Sequence, residues 1–107
     1  MKHLFAILAF VLTLGVNAQE NPEKKAKKLA NEFTQVLSLN EEESKAIYEI
    51  QLERFKSAQS INKEFADQPE IKEEKLKALG DKVYNQIKNV LGTERQKQWK
   101  DYKSKNQ

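Results

Sequence analysis

Residues 39–43 read LNEEE and residues 91–96 read LGTERQ, and these two short segments mark the beginnings of two predicted helices. In the first segment, Leu39 precedes Asn40, a preferred N-cap residue, and Glu43 follows three positions later. This spacing predicts a capping box, in which the Asn40 side chain accepts a hydrogen bond from the amide of Glu43 and the Glu43 carboxylate accepts one from the amide of Asn40. A helix should therefore begin directly after Asn40.

The second segment has a similar order of residue types. Leu91 precedes Gly92 and Thr93, and Gln96 stands three positions after Thr93. This spacing predicts a second capping box, with Thr93 as the cap and Gln96 as its partner. The two segments bracket one long stretch of helical pattern, so we interpret their residues as setting the fold and not as an active site.

Residues 1–18 have the pattern of a signal peptide. Lys2 precedes an apolar run over residues 4–16, and small residues stand where cleavage after Ala18 would require them. The run is shorter than the roughly 20 apolar residues of a membrane span, although a retained anchor is the alternative. Because the chain has no cysteine, a lipid-modified N-terminal cysteine is excluded. We therefore expect a single exported domain of residues 19–107.

The predicted mature domain lacks the side chains on which much protein chemistry depends. The chain has no cysteine, and His3 and Met1, its only histidine and methionine, precede the expected cleavage site. Nucleophilic catalysis usually needs cysteine, or serine with a histidine base, and zinc or copper sites draw on histidine, cysteine and methionine. Residues 41–43 form one carboxylate cluster that could bind a hard cation, but acidic residues are also favourable in a first helical turn. We expect no enzyme activity, metal or cofactor.

Basic residues are in slight excess. Removing Lys2 from the 19 lysine and arginine residues leaves 18, against 16 acidic residues. Two groups stand out: Lys24, Lys25, Lys27 and Lys28, and then Lys97, Lys100, Lys103 and Lys105. The first group is interpreted as a solvated helix face, with weak contact to an anionic membrane or an acidic client as the alternative. Export and the lack of a phosphate-binding loop argue against nucleic acid as a partner.

Apolar residues recur at helical spacing through the mature domain, so the predicted fold class is all-α with four helices. The first helix should start at Asn21, with Pro22 in its first turn, and end near Leu37. The second should run from the Asn40 cap to about Ala66.

A break at residues 67–69 separates the second helix from a third, which should run from about Glu70 to Leu91. A short break between two long helices predicts an antiparallel hairpin. Gly80 falls inside the apolar stripe of the third helix, so close helix approach or a bend is expected there. The fourth helix carries Trp99, which is predicted to pack over the open end of the hairpin, with an exposed recognition aromatic as the alternative.

The second helix has an unusually wide apolar face of about 200°, more than one partner helix would cover. Polar residues lie within this face, and buried polar groups need partners. The face therefore predicts a second contact, with another subunit or a client, while ordinary core packing is the alternative. The candidate client-binding residues are Gln51, Arg54, Phe55, Ile61, Asn62 and Phe65. Because a chain this small buries only a modest core, a homodimer is expected.

The two segments resemble the paired Leu-Thr-x-x-Gln motifs of the Spy/CpxP family of periplasmic proteins, and the similarity covers roughly residues 33–102. The first segment has Asn40 for threonine and Glu43 for glutamine. The second matches at Thr93 and Gln96 if Gly92 is inserted; without that gap, Gly92 and Arg95 replace the threonine and the glutamine. Residues 98–100, Gln-Trp-Lys, are similar to the aromatic stretch that follows the second motif in relatives.

This resemblance implies a four-helix fold on a long bent hairpin, paired into a thin curved dimer with a basic and apolar concave side. It also implies a periplasmic location. Some members are ATP-independent chaperones, and others damp an envelope-stress sensor kinase. A metal-binding branch fits poorly, because the mature chain lacks histidine, cysteine and methionine.

Two functions follow as hypotheses. The first is an exported, ATP-independent holdase-like chaperone or envelope-stress protein that binds unfolding clients on a mixed apolar and basic face. The alternative is a regulatory or structural protein that binds one envelope partner, such as a sensor domain, on the same face.

Overall fold

Four α-helices and their short connections make up residues 21–106, which are the residues that the computed structural model describes. The helices are α1 (Pro22–Leu37), α2 (Glu41–Glu64), α3 (Pro69–Leu91) and α4 (Thr93–Lys105). No strand occurs within this range, so the all-α prediction is confirmed for it. The predicted signal peptide, residues 1–18, lies outside the described residues.

Helix α1 begins at the predicted asparagine. The Oδ1 atom of Asn21 accepts a hydrogen bond from the amide of Lys24 at 2.8 Å, and Pro22 occupies the first turn. The helix ends at Ser38, whose φ of 54° and ψ of 53° place it in the left-handed region. The amides of Ser38 and Leu39 both donate to the carbonyl of Thr34, which satisfies a carbonyl at the end of the helix.

Helix α2 begins with the capping box that the first segment predicts. The amide of Glu43 donates to Oδ1 of Asn40 at 2.8 Å, and the amide of Asn40 donates to Oε1 of Glu43 at 3.1 Å. Three acidic residues in the first turn also complement the partial positive charge of the helix N-terminus. After Glu64 the chain turns through residues 65–67, and Pro69 starts α3.

The second predicted capping box, at Thr93 and Gln96, is absent. Gly92 ends α3 and also occupies the N-cap position of α4, so Thr93 is already helical and its side chain caps nothing. Gly92 has a φ of 88°, a backbone conformation that glycine adopts readily, and a single residue therefore separates the two helices. The amide of Gln96 donates to the carbonyl of Gly92 at 3.1 Å, which is a normal helical hydrogen bond.

The apolar core lies where all four helices meet. Phe33 of α1, Ile47 of α2 and Ile87 of α3 are buried in one cluster, together with Leu39 and Leu91 from the two segments. The rings of Phe33 and Trp99 are stacked with their centroids 3.6 Å apart, so α4 closes the core against α1.

The core occupies only part of the length of α2 and α3. Within the described chain, no residue from 52 to 82 is buried. We call residues 52–78 the outer arm. The described part of the protein is correspondingly elongated, with extents of 58 × 30 × 26 Å and a radius of gyration of 17.2 Å. A compact domain of this length would have a radius of gyration of about 12 Å.

Alanine substitution should have effects of different size at the starts of α2 and α4. Asn40→Ala removes both the cap and the geometry of the capping box, so it should lower the free energy of unfolding by about 1 kcal/mol. Thr93→Ala removes a side chain that caps nothing and should change the free energy by less than about 0.5 kcal/mol. Urea unfolding followed by circular dichroism measures both values. Equal losses in the two variants would contradict the assignment of Gly92 as the cap of α4.

Candidate functional site

The two segments meet in space through an ion pair that joins α2 to α4. The guanidinium of Arg95 donates from Nη1 to Oε1 of Glu43 at 3.1 Å and from Nη2 to Oε2, so the contact is bidentate. The Nε atom of Arg95 donates to the carbonyl of Leu91 at 3.2 Å. This third hydrogen bond holds the guanidinium at the end of α3. Arg95 thus connects three helices.

The carboxylate of Glu43 is stabilised in its ionised form by these partners. The hydrogen bond from Arg95, followed by the hydrogen bond from the amide of Asn40, lowers the pKa of Glu43 from its ordinary value. The same pair raises the pKa of Arg95. The Glu43 side chain therefore completes the capping box of α2 and also binds Arg95 of α4.

The Glu43–Arg95 ion pair was not predicted from the sequence, although the two segments carry a signal for it. In the ungapped alignment of the two segments, Glu43 and Arg95 occupy equivalent positions and carry opposite charges. Opposite charges at equivalent positions of paired segments are compatible with direct contact. With Gly92 as an insertion, Gln96 takes the position equivalent to Glu43, and that alignment predicts a capping box instead.

Gln96 is buried, with 7% of its surface exposed, and joins α4 to α3. Its Nε2 atom donates to the carbonyl of Tyr84 at 2.8 Å. On the other side of α4, the hydroxyl of Tyr102 donates to Oε2 of Glu32 in α1 at 3.0 Å, and this contact raises the pKa of Tyr102. The segment residues Leu39, Asn40, Glu43, Leu91 and Gln96 thus all make contacts that support the fold.

The structure separates the six candidate client-binding residues of α2 and the turn that follows it. Gln51 is only 1% exposed, so its placement on a client surface is wrong for this chain. It is buried because it faces the inside of the bundle, where its Oε1 atom accepts a hydrogen bond from Nη1 of Arg54 at 3.1 Å. Asn62 is exposed, and the other four are partly exposed: Arg54, Phe55, Ile61 and Phe65.

The aromatic rings of the outer arm lie beneath cations. The Nζ atom of Lys25, at the start of α1, lies 4.8 Å from the ring centroid of Phe55, and the guanidinium carbon of Arg54 lies 5.4 Å from it. The Nζ atom of Lys75 lies 5.4 Å from the ring centroid of Phe65. These distances are within the range of cation–π attraction. The arm therefore presents a mixed apolar and basic surface around its two phenylalanines.

A second feature is an open groove of about 430 Å³ between α2, α3 and α4, which we call the α3–α4 groove. Val83 and Ile87 of α3 and Gln96 of α4 are buried beneath it. Tyr84, 53% exposed, stands at its edge. The remaining lining residues are Arg54, Gly80, Trp99, Lys100 and Lys103. Trp99 is partly buried and serves both the core and the groove.

Gly80 does not serve close helix packing, which was one of the expected reasons for it. A Cβ atom added at Gly80 would meet no atom within 4 Å other than those of its own helix and chain neighbours. Glycine costs about 1 kcal/mol relative to alanine in a helix interior. The missing side chain leaves open space at the edge of the α3–α4 groove.

Searches against family models, curated proteins and solved structures give no match to the chain. Within residues 21–106, no helix combines the length and the apolar composition needed to cross a membrane. Over the same described range, no three His, Cys, Asp or Glu side chains are grouped as metal ligands would be.

The Glu43–Arg95 pair should make stability depend on pH. Because the folded chain lowers the pKa of Glu43, its ionised carboxylate contributes to stability above the ordinary value of 4.5, and this contribution is lost as the pH falls through the lowered pKa. Glu43→Gln keeps a glutamine that is compatible with a capping box and removes the charge. We expect it to lower the free energy of unfolding at neutral pH and to differ little from the native chain at strongly acidic pH.

The matched control is Glu42→Gln, an exposed neighbour in the same helical turn. Urea unfolding at several pH values measures all three chains. If native and Glu43→Gln chains differ equally at neutral and acidic pH, the ion pair does not stabilise the fold.

Proposed function

We propose that this protein is an exported, ATP-independent holdase-like chaperone that binds unfolding proteins on its outer arm. The observation that carries the proposal is the exposure of the arm. Its apolar side chains, which include Phe55, Ile61 and Phe65, are only partly buried, and Ile71 is 39% exposed. Exposed apolar surface of this kind is typical of sites that bind other proteins.

The cations over the arm support the same function. Lys25, Arg54 and Lys75 lie against the two phenylalanine rings, so apolar contact and positive charge occur together. Positive charge increases the rate of encounter with acidic segments, and apolar side chains hold exposed client residues. Contacts of this kind need no covalent step and no nucleotide, and the client is released because it binds weakly.

We further propose that α2 and α3 form the antiparallel hairpin expected from the sequence. Ala46 and Ile50, near the start of α2, line one surface depression together with Gln86 and Val90, near the end of α3. The start of α2 therefore lies near the end of α3, which supports opposite directions for the two helices. In the proposed arrangement, the turn at residues 65–68 is the tip of the outer arm.

A homodimer belongs to the same proposal. The apolar residues of the outer arm are only partly buried within one chain, and a second copy would cover part of this surface. The resemblance to the Spy/CpxP family, a periplasmic location and a curved dimer remain parts of this proposal. Light scattering coupled to size-exclusion chromatography should give twice the mass of one chain, and the mass of one chain at all concentrations would contradict it.

The function is tested by aggregation of a denatured client protein. The purified protein should suppress aggregation at a near-stoichiometric ratio, and high salt should weaken the suppression. Phe65→Ala removes apolar surface for the client and Arg54→Glu reverses a charge beside it, so each should raise the ratio needed for half-maximal suppression by about threefold or more.

Lys45→Glu is the matched control for Arg54→Glu, since it makes the same change of charge at an exposed position of α2 that lies outside the outer arm. Circular dichroism checks that every variant keeps its helices. No suppression across several clients would reject the chaperone function. A pull-down that yields one stoichiometric envelope partner, without general suppression, would favour the regulatory alternative.

A further inference from the structure

The α3–α4 groove has a composition that client binding on the outer arm does not explain. Its floor is apolar where Val83 and Ile87 are buried, and the indole of Trp99 lines it from α4. Its volume of about 430 Å³ lies within the roughly 300–1,000 Å³ that is typical of small-molecule sites. An apolar floor of this size fits an aliphatic chain or a ring system.

Positive charge surrounds this apolar floor. Arg54, Lys100 and Lys103 all line the groove. Among the lining residues, all of which belong to the described range 21–106, none is acidic. Arg54 is held in place because its Nη1 atom donates to the buried Gln51. The Nζ atom of Lys103 lies 5.5 Å from the ring centroid of Trp99. The cations are therefore positioned beside the apolar surface, which is complementary to an anionic group attached to an apolar body.

Gly80 keeps one side of the groove open. A Cβ atom added at this position would have no neighbouring side chain or other helix within 4 Å, so a larger residue would extend into open space. Glycine is unfavourable in a helix, and the packing of this chain gives no reason for it. An open binding groove does give a reason.

We propose that the α3–α4 groove binds a small anionic amphiphile, with its apolar portion against Trp99, Val83 and Ile87 and its anionic group among Arg54, Lys100 and Lys103. The site differs from the proposed client surface, with which it shares only Arg54. Its test does not depend on chaperone activity.

Trp99 provides the measurement, because it is the only tryptophan in the chain. Dodecanoate, added below its micelle concentration, should shift Trp99 emission in a saturable manner with one site per chain. Dodecyl maltoside has a tail of nearly the same length without the charge, and it should bind about tenfold more weakly, as expected when several cations near the surface each contribute modestly. Raising the salt concentration should reduce this difference.

Two variants test the location. Gly80→Leu fills the groove while improving helix propensity, so it should remain folded and lose at least about tenfold in dodecanoate affinity. Lys103→Glu should weaken dodecanoate binding and leave dodecyl maltoside binding nearly unchanged. The matched control is Lys97→Glu, which makes the same charge change on α4 at an exposed position outside the groove and should bind like the native chain.

Three results would overturn the proposal. The first is an equal response to dodecanoate and dodecyl maltoside, or a response that does not saturate. The second is native-like dodecanoate binding by a folded Gly80→Leu variant. The third is Trp99 emission that changes with protein concentration alone and not with dodecanoate, which would place a second copy of the chain in the groove.

Discussion

Helices α2 and α3 are longer than the two helices that pack against them around the core. α2 and α3 contain 24 and 23 residues, whereas α1 and α4 contain 16 and 13. At 1.5 Å per residue, α2 is about 36 Å long and α1 about 24 Å. Buried residues are confined to the first part of α2 and the last part of α3, and the outer arm follows from this mismatch in length. The large radius of gyration and the partly exposed phenylalanines have the same origin.

Local features of the fold were predictable from the sequence, because their partners are only three or four residues apart. The caps at Asn21 and Asn40 depend on side chains that reach the next turn of the same helix, and spacing alone specifies them. The start of α4 was predicted at the correct place, but the cap was assigned to the Thr93 side chain, which makes no capping hydrogen bond. Gly92 takes the cap position because its positive φ allows a one-residue connection, which a search for capping side chains does not consider.

Contacts between distant residues were not predictable from spacing. Arg95 meets Glu43 across 52 positions, and this depends on how α4 is placed by the core. Gln51 was assigned to a client surface because it lies within a wide apolar face, yet the structure buries it and satisfies its oxygen with Arg54. The sequence thus located a mixed polar and apolar face, but packing decided which of its polar residues reach the surface.

Arg54 links the two proposed binding regions. Its guanidinium donates to the buried Gln51, lies 5.4 Å from the ring of Phe55 on the outer arm, and lines the α3–α4 groove. One cation cannot pair fully with an anionic head group in the groove and with an acidic client segment at the same time. An anion bound in the groove would therefore withdraw positive charge from the surface around Phe55. If both proposals hold, occupancy of the groove and binding of acidic clients oppose each other through this single residue, and by linkage the opposition is equal in both directions.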